Sequence, residues 1–137
     1  MARKFALLGT IFAAISIALG AFGAHALKSI LPLDSLIIFE TGVRYQFMHA
    51  FALMGLSIYG SLQAVKQKAP IGLGWSAHFF IVGVFLFSGS LYALTFLSLT
   101  SYPWARFLGP ITPLGGLCFI LGWAFWVRAV YLDKVDK

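Results

Sequence analysis

The sequence predicts an all-α integral membrane protein, an antiparallel bundle of four transmembrane helices with a short interfacial helix between helices one and two. Two observations predict this fold class. Hydrophobic residues make up 61% of the 137 positions and charged residues only 10%, whereas a soluble domain averages about 45–50% apolar and about 25% charged residues. A soluble domain this small could not bury so much apolar surface. The charged residues also leave long uncharged stretches between them.

The uncharged stretches set the boundaries of the predicted spans. A helix needs about 20 apolar residues, at about 1.5 Å each, to cross about 30 Å of hydrocarbon. None of the stretches alternates between apolar and polar residues as a membrane β-strand does. We therefore predict a single membrane domain over residues 1–137, with spans at about 5–27, 45–65, 75–99 and 107–127.

The first span resembles a secretory signal, because two basic residues precede an apolar run that ends in the string AHA at 24–26. The apolar part of such a signal has about 7–15 residues. The uncharged run between Lys4 and Lys28 has 23 residues. This length, together with the three spans that follow, predicts a retained transmembrane helix.

The segment between spans one and two has helical features of its own. Asp34 occupies a good N-cap position ahead of an apolar run. We predict a short interfacial helix that begins there and bends near Gly42 into the second span. Leu36 and Phe39 are expected to dip into the head-group region, with Glu40 pointing toward the mouth of the bundle. A plain loop is the alternative.

The basic residues predict how the bundle is oriented. Seven of the ten Lys and Arg residues lie at the amino terminus, in the second loop or at the carboxy-terminal end, and three lie in the other two loops. Because basic residues concentrate on the cytoplasmic side, we predict a bacterial inner-membrane protein with both termini in the cytoplasm. The net charge of +6 comes from basic residues at the ends of the predicted helices. These residues do not form the continuous basic face that is typical of a nucleic-acid-binding protein.

With this orientation, polar residues from all four spans gather in the outer half of the membrane. Polar groups at membrane depth are costly and often mark functional sites. We predict an outer-leaflet polar pocket and expect His25 and His49 to point into the bundle, within reach of one ligand. The candidate ligand-binding residues are His25, Glu40, Tyr45, Gln46, His49, Ser88, Ser90, Tyr92 and Thr112.

Other interpretations of these residues stay open. They could form ordinary hydrogen bonds between helices, and two histidines at similar depth could hold a haem. No third metal ligand accompanies the histidines, so we predict no metal and no cofactor. The string FSGSLY lacks the G-x-S-x-G pattern of a serine nucleophile, and no nucleotide-binding glycine pattern occurs. We therefore predict no catalytic residues.

Four strings in the chain resemble a known family, the uncharacterised small membrane proteins that include bacterial YgdD and YwdK. The resemblance implies a four-helix inner-membrane protein of unknown function, and it implies no catalytic residues. The strings are GAFGAHALK at 20–28, FETGVRYQFMHAFAL at 39–53, FSGSLYAL at 87–94 and LGPITPLGGLCFILGW at 108–123.

Taken together, the sequence predicts a non-enzymatic accessory or assembly factor of the membrane. Its outer polar pocket would bind a lipid, a quinone-like molecule or a partner helix. The expected partners are membrane lipids and another membrane protein or a second copy of the chain, with no nucleic acid. A small oligomeric transporter or channel is one alternative, and a haem or redox subunit is another.

Overall fold

The computed structural model describes residues 2–67, 71–98 and 108–135, and every regular element in them is helical. A 3₁₀ turn, Leu27–Ser29, follows α1, and a π-helical segment, Val84–Ser88, joins α3 and α4 into one rod. The α-helices are α1 Ala2–His25, α2 Leu33–Val65, α3 Leu73–Gly83, α4 Gly89–Ser98 and α5 Ile111–Val135.

Four helical segments in the described part of the chain are long and apolar enough to cross a membrane, which confirms the predicted fold class. The second of them begins at Leu33, twelve residues before the predicted start of span two at 45. The predicted end of the third span, Leu99, and the predicted start of the fourth, Phe107, lie outside the described residues. The basic loop residues Lys68 and Arg106 also lie outside them. The four segments are Ala2–Ser29, Leu33–Val65, Leu73–Leu97 and Ile111–Leu132.

The segment predicted as an interfacial helix is helical, but it forms the start of α2 without a break. α2 has 33 residues, which gives a length of about 50 Å. Pro32 precedes the helix with an extended ψ of 149°, so Asp34 lies in the first turn and does not form the predicted N-cap. Gly42 lies inside this helix, so the predicted interfacial helix and the second span are one continuous element.

Leu36 and Phe39 do not dip into the head-group region, and that prediction is wrong. Their side chains are 7% and 1% exposed and form a cluster with Leu27 and Leu31. The 3₁₀ turn after α1 brings these two leucines back onto α2. Leu36 and Phe39 therefore find apolar partners within the protein.

α2 and the α3–α4 rod form the centre of the helix bundle. α1 packs along α2, and α5 packs along α3 and the π-helical segment. Glycines allow the closest approaches: a Cβ at Gly115 would lie 2.3 Å from the backbone nitrogen of Phe87, and one at Gly9 would lie 2.7 Å from the carbonyl oxygen of Ala50. Small residues favour such backbone contact where hydrophobicity does not drive helices together.

Candidate functional site

Several of the predicted pocket residues form hydrogen bonds between helices. The Tyr92 hydroxyl on α4 donates to Oε1 of Gln46 on α2 at 3.1 Å. Nε2 of Gln46 in turn donates to the carbonyl oxygen of Phe12 on α1, also at 3.1 Å. This chain of bonds links three helices at one depth, and the buried Gln46 amide uses both ends of its side chain in it.

A second interhelical bond joins α4 to α5. Oγ of Ser90 lies 2.7 Å from Oγ1 of Thr112, and the Ser90 hydroxyl is also 2.9 Å from the carbonyl oxygen of Phe87. Ser88, two residues earlier, is 1% exposed. Its hydroxyl has no hydrogen-bond partner among the described residues. Ser88 is the last residue of the π-helical segment, where the regular bonding pattern of the helix is shifted by one residue.

His49 is packed in an aromatic cluster between α2 and α5. Its ring is 3% exposed and stacks on Phe119 with centroids 3.5 Å apart. Nδ1 lies 2.8 Å from the carbonyl oxygen of Tyr45, and Nε2 lies 3.3 Å from Nε1 of Trp123. The indole N–H of Trp123 can only donate, so Nε2 of His49 accepts that bond. The carbonyl oxygen of Tyr45 can only accept, so His49 carries its proton on Nδ1. Both ring nitrogens are therefore bonded within the protein.

Tyr45 lies beside this cluster at the surface of the bundle. Its exposed ring contacts Phe87 with centroids 4.6 Å apart and lies nearly parallel to the ring of Phe119 at 6.2 Å. Tyr45 and His49 therefore share one face of α2, as their spacing predicts.

His25 does not join His49, so the predicted common site of the two histidines is wrong. His25 is exposed at the end of α1, and nearby Gly23 packs against Phe39. Phe39 and His49 are ten residues apart on α2, or about 15 Å along the helix. Both histidines were predicted at similar depth because the second span was expected to begin at Tyr45, four residues before His49. α2 begins at Leu33, so His49 lies much further from the start of its helix. A haem held by both histidines does not fit this arrangement.

The structure contains a groove between α1 and α2, here called the α1–α2 groove, with a volume of about 260 Å³. The two helices are in backbone contact at Gly9, but at Gly20 the nearest neighbour of an added Cβ would be a side-chain atom of Val43 at 3.7 Å. The contact between the two helices is therefore looser at Gly20 than at Gly9, and it tightens again at Gly23, where an added Cβ would lie 3.1 Å from the ring of Phe39. The lining residues are Ser16, Ile17, Gly20, Gly23, Phe39, Glu40, Val43, Arg44 and Phe47.

Glu40 and Arg44 are the charged residues of this groove, and its other walls are almost wholly apolar. They lie one turn apart on α2 and are exposed. Neither side chain forms a hydrogen bond or an ion pair with another part of the described chain. Ser16 is buried, and its hydroxyl donates to the carbonyl oxygen of Phe12.

Of the predicted site residues, only Glu40 lines the α1–α2 groove. Arg44 was not predicted as a site residue, because the sequence pattern placed this arginine in a loop. Gly20 and Gly23 were not predicted to form the floor of a groove either. The signal that could have found them is the spacing of Ser16, Gly20 and Gly23, which places three small residues on one face of α1.

A second groove, of about 380 Å³, lies on the carboxy-terminal half of α5. It is lined by aromatic and aliphatic side chains, namely Trp123, Trp126, Val127, Val130 and Tyr131. Among the described residues no group of three or more His, Cys, Asp or Glu side chains could hold a metal ion.

Comparison with known proteins assigns this arrangement to a family. The family model described as "Protein of unknown function (DUF423)" matches residues 19–116. This chain belongs to the DUF423 family. The matched stretch contains Glu40 and Arg44 of the groove as well as the bonded pair Gln46 and Tyr92. Membership confirms the resemblance predicted from the four sequence strings.

Relatives within DUF423 are described as membrane proteins. The UPF0382 inner membrane protein YgdD of Escherichia coli (strain K12) is 39% identical over 129 residues, which cover 90% of each chain. The UPF0382 membrane protein SH2409 of Staphylococcus haemolyticus is 35% identical over 129 residues, which cover 94% of this chain and 96% of the relative. No solved structure matches this DUF423 protein.

Proposed function

We propose that this DUF423 protein is a non-enzymatic accessory or assembly factor of the bacterial inner membrane that binds one phospholipid in the α1–α2 groove. The observation that carries the proposal is the make-up of the groove: its walls are almost wholly apolar, and the two charged residues Glu40 and Arg44 lie along its α2 side. A phospholipid likewise combines apolar acyl chains with a charged head group. Sites for small molecules in proteins are likewise mostly apolar, with a few well-placed polar groups.

The dimensions of the groove fit one lipid head group and the adjoining part of an acyl chain. On α2 the lining runs from Phe39 to Phe47, which corresponds to about 12 Å along the helix. Ile17 and Phe47 are exposed at its edge, so the groove opens on the surface that faces lipid in the predicted membrane. A chain could therefore enter sideways from the bilayer.

The polar residues inside the bundle support a structural role for the predicted outer pocket. Gln46, His49, Ser90 and Tyr92 hydrogen-bond to other helices, and interhelical bonds of this kind contribute about 0.6–2 kcal/mol each to membrane bundles. Groups already bonded in this way are poorly placed to perform acid–base chemistry. They are equally poorly placed to line a transport pathway, so the transporter alternative has less support than lipid binding.

Native mass spectrometry of the purified protein tests the proposal. Gly20→Leu should fill the groove, because an added Cβ meets only Val43 and the longer side chain must extend along the floor. The matched control is Ala21→Leu, since Ala21 is the next residue on α1 and is exposed. We expect wild type and Ala21→Leu to retain one phospholipid per chain in mild detergent.

For Gly20→Leu we expect retention to fall at least about tenfold, which corresponds to about 1.4 kcal/mol of binding free energy. A thermal unfolding curve for each variant establishes that both remain folded. Equal retention by folded Gly20→Leu and Ala21→Leu would contradict the proposal.

A further inference from the structure

We infer that the α1–α2 groove selects a phospholipid whose phosphate is followed by a primary ammonium, the phosphatidylethanolamine head group. This inference rests on the proposed function, because it specifies which lipid that groove would bind. It is argued from the charges of Glu40 and Arg44 and from their order along α2.

The order of the lining residues matches the covalent order of such a lipid. Phe39 lines the end of the groove nearest the beginning of α2; of the two charged residues Glu40 comes first and Arg44 lies one turn further along, and Phe47 follows on the same helix. An ammonium at Glu40, a phosphate at Arg44 and an acyl chain beside Phe47 and Ile17 would follow the same sequence. Because the match depends only on positions along α2, it holds for either orientation of the bundle.

The two charges also fit a head group that carries both signs. Glu40 and Arg44 are four residues apart, or about 6 Å along the helix. Neither is engaged with another described side chain. The planar guanidinium of an arginine binds phosphate oxygens with two parallel hydrogen bonds. The carboxylate of Glu40 is then free to accept hydrogen bonds from the lipid ammonium.

Two other head groups should bind less well for different reasons. Phosphatidylcholine has a quaternary ammonium, which carries the charge but has no N–H to donate to Glu40. Phosphatidylglycerol ends in neutral hydroxyl groups, so it offers no cation to the Glu40 carboxylate, and the charge of its phosphate near that carboxylate stays uncompensated. Like charges held close together repel each other. Glu40 therefore acts as the specificity residue, and Arg44 is the general phosphate anchor.

A competition experiment tests this assignment. Delipidated protein is incubated with an equimolar mixture of phosphatidylethanolamine, phosphatidylcholine and phosphatidylglycerol that have identical acyl chains, and the retained lipids are counted by native mass spectrometry. We expect wild type to retain phosphatidylethanolamine at least about fivefold over each competitor. Glu40→Gln should lose this preference while total retention stays within about twofold of wild type. Arg44→Gln should retain less of all three lipids.

Matched controls keep the failure of this inference apart from failure of the proposed function. Asp34→Asn and Arg128→Gln change exposed charges outside the groove and should behave as wild type. If wild type retains the three lipids equally while Gly20→Leu retains none of them, the groove binds lipid and the head-group assignment is wrong. An unchanged preference in Glu40→Gln would overturn it as well. If Gly20→Leu retains as much as wild type, the proposed function itself fails.

Discussion

Gln46 and Tyr92 are 46 positions apart in the chain, yet their side chains form a hydrogen bond that joins α2 to α4. The sequence predicted that both residues lie within spanning helices, because each interrupts an apolar run. It could not predict their partners, which depend on how the helices rotate against one another. His25 illustrates the limit: it ends an apolar run, but its side chain is exposed.

Two serines on the α3–α4 rod should respond in opposite directions to loss of their hydroxyl groups. A buried polar group without a partner costs about 1–3 kcal/mol, so Ser88→Ala should stabilise the folded protein by about 1 kcal/mol. Ser90→Ala removes the bond to Thr112 and should destabilise it by about 0.6–2 kcal/mol. Unfolding of both variants in mixed detergent micelles measures the difference. A Ser88→Ala protein that is less stable than wild type would mean that the hydroxyl has an important partner.

At the scale of the elements, four spanning helices were predictable, because bilayer thickness dictates the length of an apolar helix. A helix beginning near Asp34 was predicted as well, but not that it continues without a break into the second span. Its first turns are buried by Leu27 and Leu31 from the preceding turn. The π-helical segment Val84–Ser88 was not predicted either. It shifts the register by one residue within an otherwise apolar run, and the hydrophobic pattern does not record such a shift.

Neighbouring glycines on α5 should differ sharply in their tolerance of alanine. A Cβ at Gly115 would lie 2.3 Å from the backbone nitrogen and 2.7 Å from Cα of Phe87, whereas one at Gly116 would lie 3.8 Å from the ring of Phe87. Backbone atoms cannot move aside as a ring can. Gly115→Ala should therefore destabilise the bundle by about 1–3 kcal/mol. Gly116→Ala, the matched control, should change its stability by less than about 0.5 kcal/mol. Equal unfolding midpoints for the two variants would refute the close contact between α5 and the π-helical segment.

At the scale of the whole molecule, the bundle was predictable and the groove was not. Composition requires a membrane, and the charges between spans favour one orientation. The α1–α2 groove arises because two helices in contact at Gly9 separate toward Gly20. The angle between helices depends on all the side chains at their interface, so the spacing of small residues on α1 alone could not reveal a cavity.

The orientation stays a prediction that reporter fusions can test. Because most of the Lys and Arg residues flank the ends assigned to the cytoplasm, reporters fused at residue 70 and at the carboxy terminus should be active in the cytoplasm. Reporters near residues 32 and 102 should be active on the outer side. An external carboxy terminus would contradict the charge argument and would place the Glu40 end of the groove on the cytoplasmic side.

The most direct test of lipid binding is photo-cross-linking with a phospholipid that carries a diazirine in its acyl chain. The lipid is supplied at about one molecule per protein, and labelled peptides are mapped by mass spectrometry. Our account predicts labels concentrated at Ile17, Val43 and Phe47 and their loss in Gly20→Leu. Leu114 and Ile120 of α5, which are exposed outside the groove, report background labelling. Labels spread equally over these two residues and the groove, with no change in Gly20→Leu, would contradict the claim that the α1–α2 groove binds a lipid.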